Sequence, residues 1–186
     1  MPIELVSNGE IVLDGVIVSD REAVYHDAGV FSPALVRAAL DQVKGDVVVW
    51  VNSPGGDPFQ GEALRALFLA HDGEITVRVA GIAASAASLM IMSADHIEMT
   101  TGSMLMIHDP STITFGNAAA HDDAAATLRQ MASAYAQVYA DRTGIAVAAI
   151  RKMMEQETWM TAPQAVEQGF ASATFGGGVD VPTASM

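Results

Sequence analysis

The sequence predicts a single α/β domain, residues 1–186, built on a parallel sheet. Three observations carry that expectation. Apolar strand-like runs alternate with helix patterns that open on a capping residue and close on glycine. The run 46–51, DVVVWV, is apolar at successive positions, as a strand covered on both faces must be. A chain of 186 residues with a 51% hydrophobic fraction is long and apolar enough to bury one sizeable core. Strand–helix–strand alternation implies parallel strands joined by right-handed crossovers.

In order, 11–18 reads as a first strand interrupted by a turn at Asp14-Gly15. Ser32-Pro33 then opens a helix, with Ser as N-cap and Pro at the first helical position. Leu35, Val36, Leu40 and Val43 give that helix one apolar face, and Gly45 ends it. After the 46–51 strand comes Asn52-Ser53-Pro54-Gly55-Gly56, where paired glycines allow positive φ and expose backbone amides. No Lys-Ser/Thr follows, which argues against a phosphate loop. Asp57-Pro58 caps a second helix striped with Phe59, Ala63, Leu64, Leu67 and Phe68 and closed by Gly73. Residues 75–80 alternate as a strand, and 96–100 and 104–108 are short strands around a Thr101-Gly102-Ser103 turn. Residues 109–117 form a loop or extended arm. Asn117 caps a long alanine-rich helix that runs to about 143 and stops at Gly144, with Leu128, Met131, Tyr135, Val138 and Tyr139 at helical spacing, a core or subunit-interface stripe. A further helix covers 146–156, and Thr161 caps a short one ended by Gly169. The core is expected over about 11–173, with a flexible glycine-rich tail from 174 to 186.

Composition narrows the function. Aromatics are only 6%, so Ala, Val, Leu and 11 Met must fill the core. No apolar stretch is long enough to span a bilayer, and Met1-Pro2-Ile3-Glu4 lacks the basic start of a secretory signal. The absence of Cys excludes disulfides and thiol catalysis and suits a reducing compartment, so a cytoplasmic location is expected. A net charge of -13 argues against a nucleic-acid surface, which needs Lys and Arg against phosphate. It reads instead as solubility, or as a large assembly with hydrated faces.

The stretch that could carry chemistry is Gly81-Ile82-Ala83-Ala84-Ser85-Ala86-Ala87-Ser88. Ser85 falls where a strand turns into a helix. A hydroxyl there stands clear of the sheet, beside first-turn amides that an oxyanion can use. The alternative is a small-residue helix packed tightly on its sheet. A serine nucleophile needs a base, and the base needs an orienting group. Among His26, His71, His96, His108 and His121, only His108 ends an apolar strand at the sheet edge where open α/β folds bind ligands. His71 reads as a solvated charge at a helix C-terminus. Glu157, Glu155, Asp109, Asp122 and Asp123 are candidates for the orienting carboxylate, and spacing does not choose among them. No His-x-x-x-His or similar set suggests a metal.

These residues resemble a known family. Asn52-Ser53-Pro54-Gly55-Gly56, Gly81-x-Ala83-Ala84-Ser85, Met106-Ile107-His108 and Thr161-Ala162-Pro163-x-Ala165-Val166-x-x-Gly169, in that order, are similar to the proteolytic subunit of the Clp protease. Glu157-Thr158-Trp159 and Gly116-Asn117-Ala118 resemble its phage and prophage branch, assigned to head (prohead) maturation. The resemblance implies a ClpP/crotonase-like fold of repeated ββα units with a protruding handle helix after Asn117. It implies a serine endopeptidase with Ser85 as nucleophile, His108 as base, and Glu157 where the family has Asp. It puts the oxyanion amides at Gly55 and Ala86, and extended substrate beside Gly56, Asp57, Ser111, Thr112 and Ile113. No cofactor or metal is implied. Implied partners are polypeptide substrates such as capsid or scaffold proteins, and further copies of the chain in heptameric rings or a tetradecamer. The stretch 1–10 lacks the family's axial-loop pattern, so a Clp-type ATPase partner is not expected. The phage-branch setting is the host cytoplasm or the assembling prohead. Alternatives are the proteolytic subunit of a general Clp-type degradation machine, a crotonase-like acyl-CoA enzyme, and an inactive scaffold subunit.

Overall fold

The computed structural model describes residues 3–176 and 182. The chain runs β1 (Val6–Ser7), β2 (Glu10–Ile17), α1 (Asp20–Ala23), β3 (Val30–Phe31), α2 (Pro33–Gln42), β4 (Val47–Gly56), α3 (Pro58–Leu69), β5 (Ile75–Ala84) and α4 (Ala86–Ile91). It continues through β6 (His96–Thr100), β7 (Met104–Ile107), α5 (Ala118–Thr143), α6 (Val147–Glu155), β8 (Thr158–Thr161), α7 (Ala162–Glu167) and β9 (Ala173–Phe175). This is the α/β alternation expected from the sequence.

Parallel strands β2, β4, β5 and β6 lie side by side in that order. β5 is long enough to serve two partners: its residues 76–79 pair with β6, and 82–84 with β7. β8 returns antiparallel on β7, and β9 extends the sheet beyond β6. The carboxyl ends of β4, β5 and β7 therefore meet at one edge. Val47, Val49 and Val51 of β4, Ile75, Val77 and Val79 of β5, and Leu89, Met90 and Ile91 of α4 form the centre of the core, all essentially without solvent contact. The other face of β4 is also covered. Trp50 is buried there, its Nε1–H donates to Glu10 Oε2 at 2.8 Å, and the Arg78 guanidinium sits 5.5 Å over its ring.

Most helix boundaries follow local capping. Asp57 Oδ1 accepts from the N–H groups of Phe59 and Gln60, Asn117 Oδ1 accepts from Ala120 N–H, and Gly144 closes α5 at φ 75°. Ser32 departs from its expected role. Its Oγ is buried with no hydrogen-bond partner, and Asp20 Oδ1 takes the Ala34 N–H at 2.8 Å instead. The first strand is not broken by a turn: β2 is continuous, with a bulge between Asp14 and Val16 where Gly15 has φ 116°. The strand expected to stop at 80 runs on to Ala84. The tail expected from 174 starts later, because Thr174 and Phe175 pair with β6; residues 177–181 and 183–186 of that tail lie outside the described residues.

α5 has 26 residues, and its buried positions are Ala132, Tyr135, Ala136, Tyr139 and Ala140, all in its second half. The residues of its first half are exposed or half-buried, as a handle helix requires. Among the described residues no helix is long and apolar enough to cross a membrane.

Candidate active site

Ser85 is the single residue between the end of β5 and the start of α4. Its backbone takes φ 56° and ψ -126°, a conformation L-residues rarely adopt, at a cost of about 1–3 kcal/mol. The surroundings enforce it. Ser85 N–H donates to Met106 O at 3.0 Å, and Ser85 O accepts from Leu89 N–H at 3.2 Å and from Ser88 Oγ at 2.7 Å. The strained elbow holds the hydroxyl out from the sheet toward His108, which continues directly from β7. His108 Nε2 and Ser85 Oγ are 2.6 Å apart. Both residues are half-buried.

The elbow is braced from α5. Ser88 has one proton and gives it to Ser85 O, so the Tyr139 hydroxyl, 2.9 Å away, is the donor to Ser88 Oγ. One turn earlier, Tyr135 OH donates to Pro58 O at 2.8 Å, tying α5 to the start of α3. Burial pushes the Tyr135 phenol up to about 12 and carries Tyr139 further above the ordinary tyrosine range. Both phenols remain protonated donors at neutral pH. Pro58, Leu89, Pro110, Tyr135 and Tyr139 enclose a narrow recess against Ser85, Ala86 and His108. The sequence shows Tyr135 and Tyr139 as an apolar stripe; that the stripe faces the hydroxyl is a tertiary fact with no local signal.

Of the two amides expected to face an oxyanion, Ala86 N–H has no acceptor among the described residues. Gly55 N–H is engaged: it donates to Ser53 Oγ at 3.1 Å in a buried bond. Gly55 serves differently. At φ 96°, a Cβ there would meet Ala84 O at 2.6 Å, Ser85 Cβ at 2.8 Å and Ala86 N at 2.9 Å, so only glycine lets β4 lie against the elbow. The next amide is directed elsewhere: Asp57 N–H donates to Ile17 O, and the alternation of a parallel ladder turns the N–H of Gly56, an exposed residue, away from β2.

None of the five candidate carboxylates reaches the His108 ring. Glu157 is the candidate aligned with His108 along the sheet: the β7–β8 register ends on Ile107 paired with Thr158, and Glu157 and His108 are each the next residue beyond it. Its backbone is left-handed at φ 50°, and its exposed carboxylate accepts from Trp159 Nε1–H at 3.2 Å. Asp109 and Glu155 both bind Arg151. Asp122 and Asp123 are exposed on the first turns of α5.

The expected substrate residues divide. Gly56 is exposed beside the elbow, whereas the Asp57 carboxylate is occupied in capping α3. Ser111, Thr112 and Ile113 lie on an exposed arm without regular structure, tied to α5 by a 2.7 Å bond between Thr114 Oγ1 and His121 Nδ1. His71 is not simply solvated: its Nε2 lies 2.8 Å from Gly45 O. Among the described residues no three His, Asp or Glu side chains gather as a metal site.

Residues 8–176 match the Clp protease family. The chain is 29% identical over 137 residues to the ATP-dependent Clp protease proteolytic subunit 3 of Rhodococcus jostii, covering 73% of this chain and 68% of that protein. It is 33% identical over 153 residues to the ATP-dependent Clp protease proteolytic subunit 1 of Chlamydia abortus, covering 74% and 79%. It is 24% identical over 161 residues to the ATP-dependent Clp protease proteolytic subunit of Porphyromonas gingivalis, covering 86% and 72%.

Proposed function

Because the chain belongs to the Clp protease family, we propose that it is a serine endopeptidase with Ser85 as nucleophile and His108 as general base. The observation that carries this reading is the 2.6 Å contact between Ser85 Oγ and His108 Nε2, made across the meeting ends of β5 and β7. In the reaction, His108 Nε2 takes the hydroxyl proton as Ser85 Oγ attacks a peptide carbonyl. The tetrahedral oxyanion is received by Ala86 N–H and by Gly56 N–H, which replaces Gly55 in this role. Each such donor is worth about 3 kcal/mol. The imidazolium then protonates the leaving amine. Water, deprotonated by the same nitrogen, hydrolyses the acyl-serine and frees Ser85.

Glu157 is the carboxylate that orients His108, a role supported by the β7–β8 register, which ends one residue short of both. It does so by exchanging its Trp159 bond for one to His108 Nδ1. Substrate lies extended past Gly56 and adds a strand along the arm at Ser111, Thr112 and Ile113, whose backbone is unpaired and exposed. The term "subunit" in the relatives' names and the exposed front half of α5 support assembly of several copies into rings. A crotonase-like acyl-CoA role gives the Ser85–His108 contact no purpose, and a net charge of -13 offers little to a CoA phosphate.

The relatives' names favour work beside an ATPase of the Clp type. The motif resemblance favours maturation of a phage head. Degradation of an unfoldase-delivered substrate belongs to the first setting, and cleavage of capsid or scaffold protein without ATP to the second. The test of the chemistry common to both is labelling by a small fluorophosphonate. Wild-type protein is expected to take one label, which Ser85→Ala abolishes. Equal labelling of Ser85→Ala refutes the assignment, and absent casein cleavage in a labelled protein points to a non-degrading subunit.

A further inference from the structure

We infer that Ser88 and Tyr139 are positioning residues for the oxyanion donor: together they aim the Ala86 N–H at the place where the tetrahedral oxygen forms. This deepens the serine-peptidase reading and rests on it. The Ser85 carbonyl and the Ala86 N–H belong to one trans peptide unit, so they share a plane and point in opposite directions. Whatever fixes the carbonyl therefore fixes the amide. The torsion that turns this plane relative to the Ser85 side chain is ψ of Ser85, held at -126° beside a φ of 56°.

Ordinary helix bonding does not account for the way this carbonyl is held. The Leu89 N–H already donates to Ser85 O at 3.2 Å and satisfies it as a helix would. The Ser88 hydroxyl adds a second, shorter bond at 2.7 Å, and Tyr139 OH of α5 lies 2.9 Å behind it. Ser88 and Tyr139 are both buried. Burying a hydroxyl costs free energy unless it is hydrogen-bonded, and alanine with phenylalanine would occupy the same places without that cost. The two hydroxyls instead form a chain with a single end point. That end point is the carbonyl whose own peptide supplies Ala86 N–H, the amide with no acceptor among the described residues. Each bond in such a chain polarises the next. Electron density is drawn toward the Ser85 oxygen, and the Ala86 N–H becomes a stronger donor as well as a fixed one.

The experiment measures kcat and KM for p-nitrophenyl acetate, the affinity for phenylboronic acid, and Tm. It compares wild type, Ser88→Ala, Tyr139→Phe and the double variant. Phenylboronic acid bonds through boron to a serine oxygen as a tetrahedral anion, so its affinity reads the oxyanion contact directly. We expect kcat to fall about ten-fold in Ser88→Ala and about three-fold in Tyr139→Phe with KM unchanged, since misaiming a donor loses part of the roughly 10²- to 10³-fold that deleting one costs. Boronate affinity is expected to fall by the same factors. Ser88→Ala strands the buried Tyr139 hydroxyl and lowers Tm. Adding Tyr139→Phe removes the stranded group, and is expected to restore Tm but not kcat. Recovery of kcat together with Tm overturns the inference, as does an unchanged boronate affinity or a loss confined to KM. Tyr139→Phe keeps the ring and removes one atom, and is read alone if Ser88→Ala does not fold; wild-type kcat and boronate affinity there overturn the inference. A protein that takes a small fluorophosphonate at Ser85, and whose folded variants keep wild-type kcat, fails the positioning assignment alone. One that takes no fluorophosphonate fails the peptidase reading, and the positioning assignment with it.

Discussion

Arg151 grips Asp109 through both terminal guanidinium nitrogens, and Asp109 directly follows His108 in the chain. The pair anchors the backbone that carries the imidazole to α6. Its side chains are 25% and 41% exposed, so it contributes only about 0–1 kcal/mol to stability. Arg151→Ala is expected to lower kcat about ten-fold with KM unchanged and little loss of Tm, because the imidazole loses alignment worth ~1.4 kcal/mol. Arg151→Lys should recover only part of kcat, since an ammonium cannot reproduce the two-pronged grip. Steady-state kinetics with thermal melting checks both.

The orienting role distinguishes the carboxylates. Glu157→Gln is expected to reduce kcat by about a hundred-fold or more, as removal of the charge that stabilises an imidazolium does in other triads. Asp109→Asn should cost no more than Arg151→Ala. Trp159→Phe removes the hydrogen bond that holds Glu157 away from His108, and should raise kcat by up to about five-fold, a single neutral hydrogen bond being worth ~1 kcal/mol. Equal losses for Glu157→Gln and Asp109→Asn would remove Glu157 from the mechanism.

Alkaline stability should report on Tyr135. Its folded-state pKa is raised to about 12 by burial, above the ordinary value of 10.0. The native state thus keeps the proton longer than the unfolded chain. The stabilising contribution is complete below pH ~10 and is lost as pH rises from there through the folded value, by up to about 1.4 kcal/mol per pH unit. Tyr135→Phe is expected to flatten that part of the curve while costing about 1 kcal/mol at neutral pH for the lost bond to Pro58. Urea unfolding between pH 7 and 11 measures both.

Gly55→Ala should damage stability and activity together. The added methyl meets Ala84 O and the Ser85 elbow at under 3 Å, and the backbone is left at positive φ. A cost of about 2 kcal/mol or more is expected, with labelling of Ser85 slowed by at least ten-fold. Gly102→Ala, where a Cβ meets nothing within 4 Å, is the control and should change neither.

What could be read from the chain was what its local chemistry decides. Asp57, Asn117 and Gly144 mark helix ends because each satisfies backbone groups a few residues away. The approach of Ser85 to His108 was legible because strand ends deliver both to one sheet edge. Ser32 misled because Asp20, distant in sequence, took its capping bond. Gly55 misled because a side chain two residues back claims its amide, a competition invisible in a Gly-Gly pattern. The left-handed turn at Ser85 and the facing of Tyr135 and Tyr139 into the site arise from packing between elements far apart in sequence.

The handle helix supplies one wall of the recess, because Tyr135 and Tyr139 both belong to α5. Tyr135 and Tyr139 sit in the buried second half of a helix of 26 residues whose first half is exposed or half-buried. Tyr139 reaches the Ser85 carbonyl through Ser88 Oγ, so the long helix and the strained elbow share one unbroken chain of hydrogen bonds.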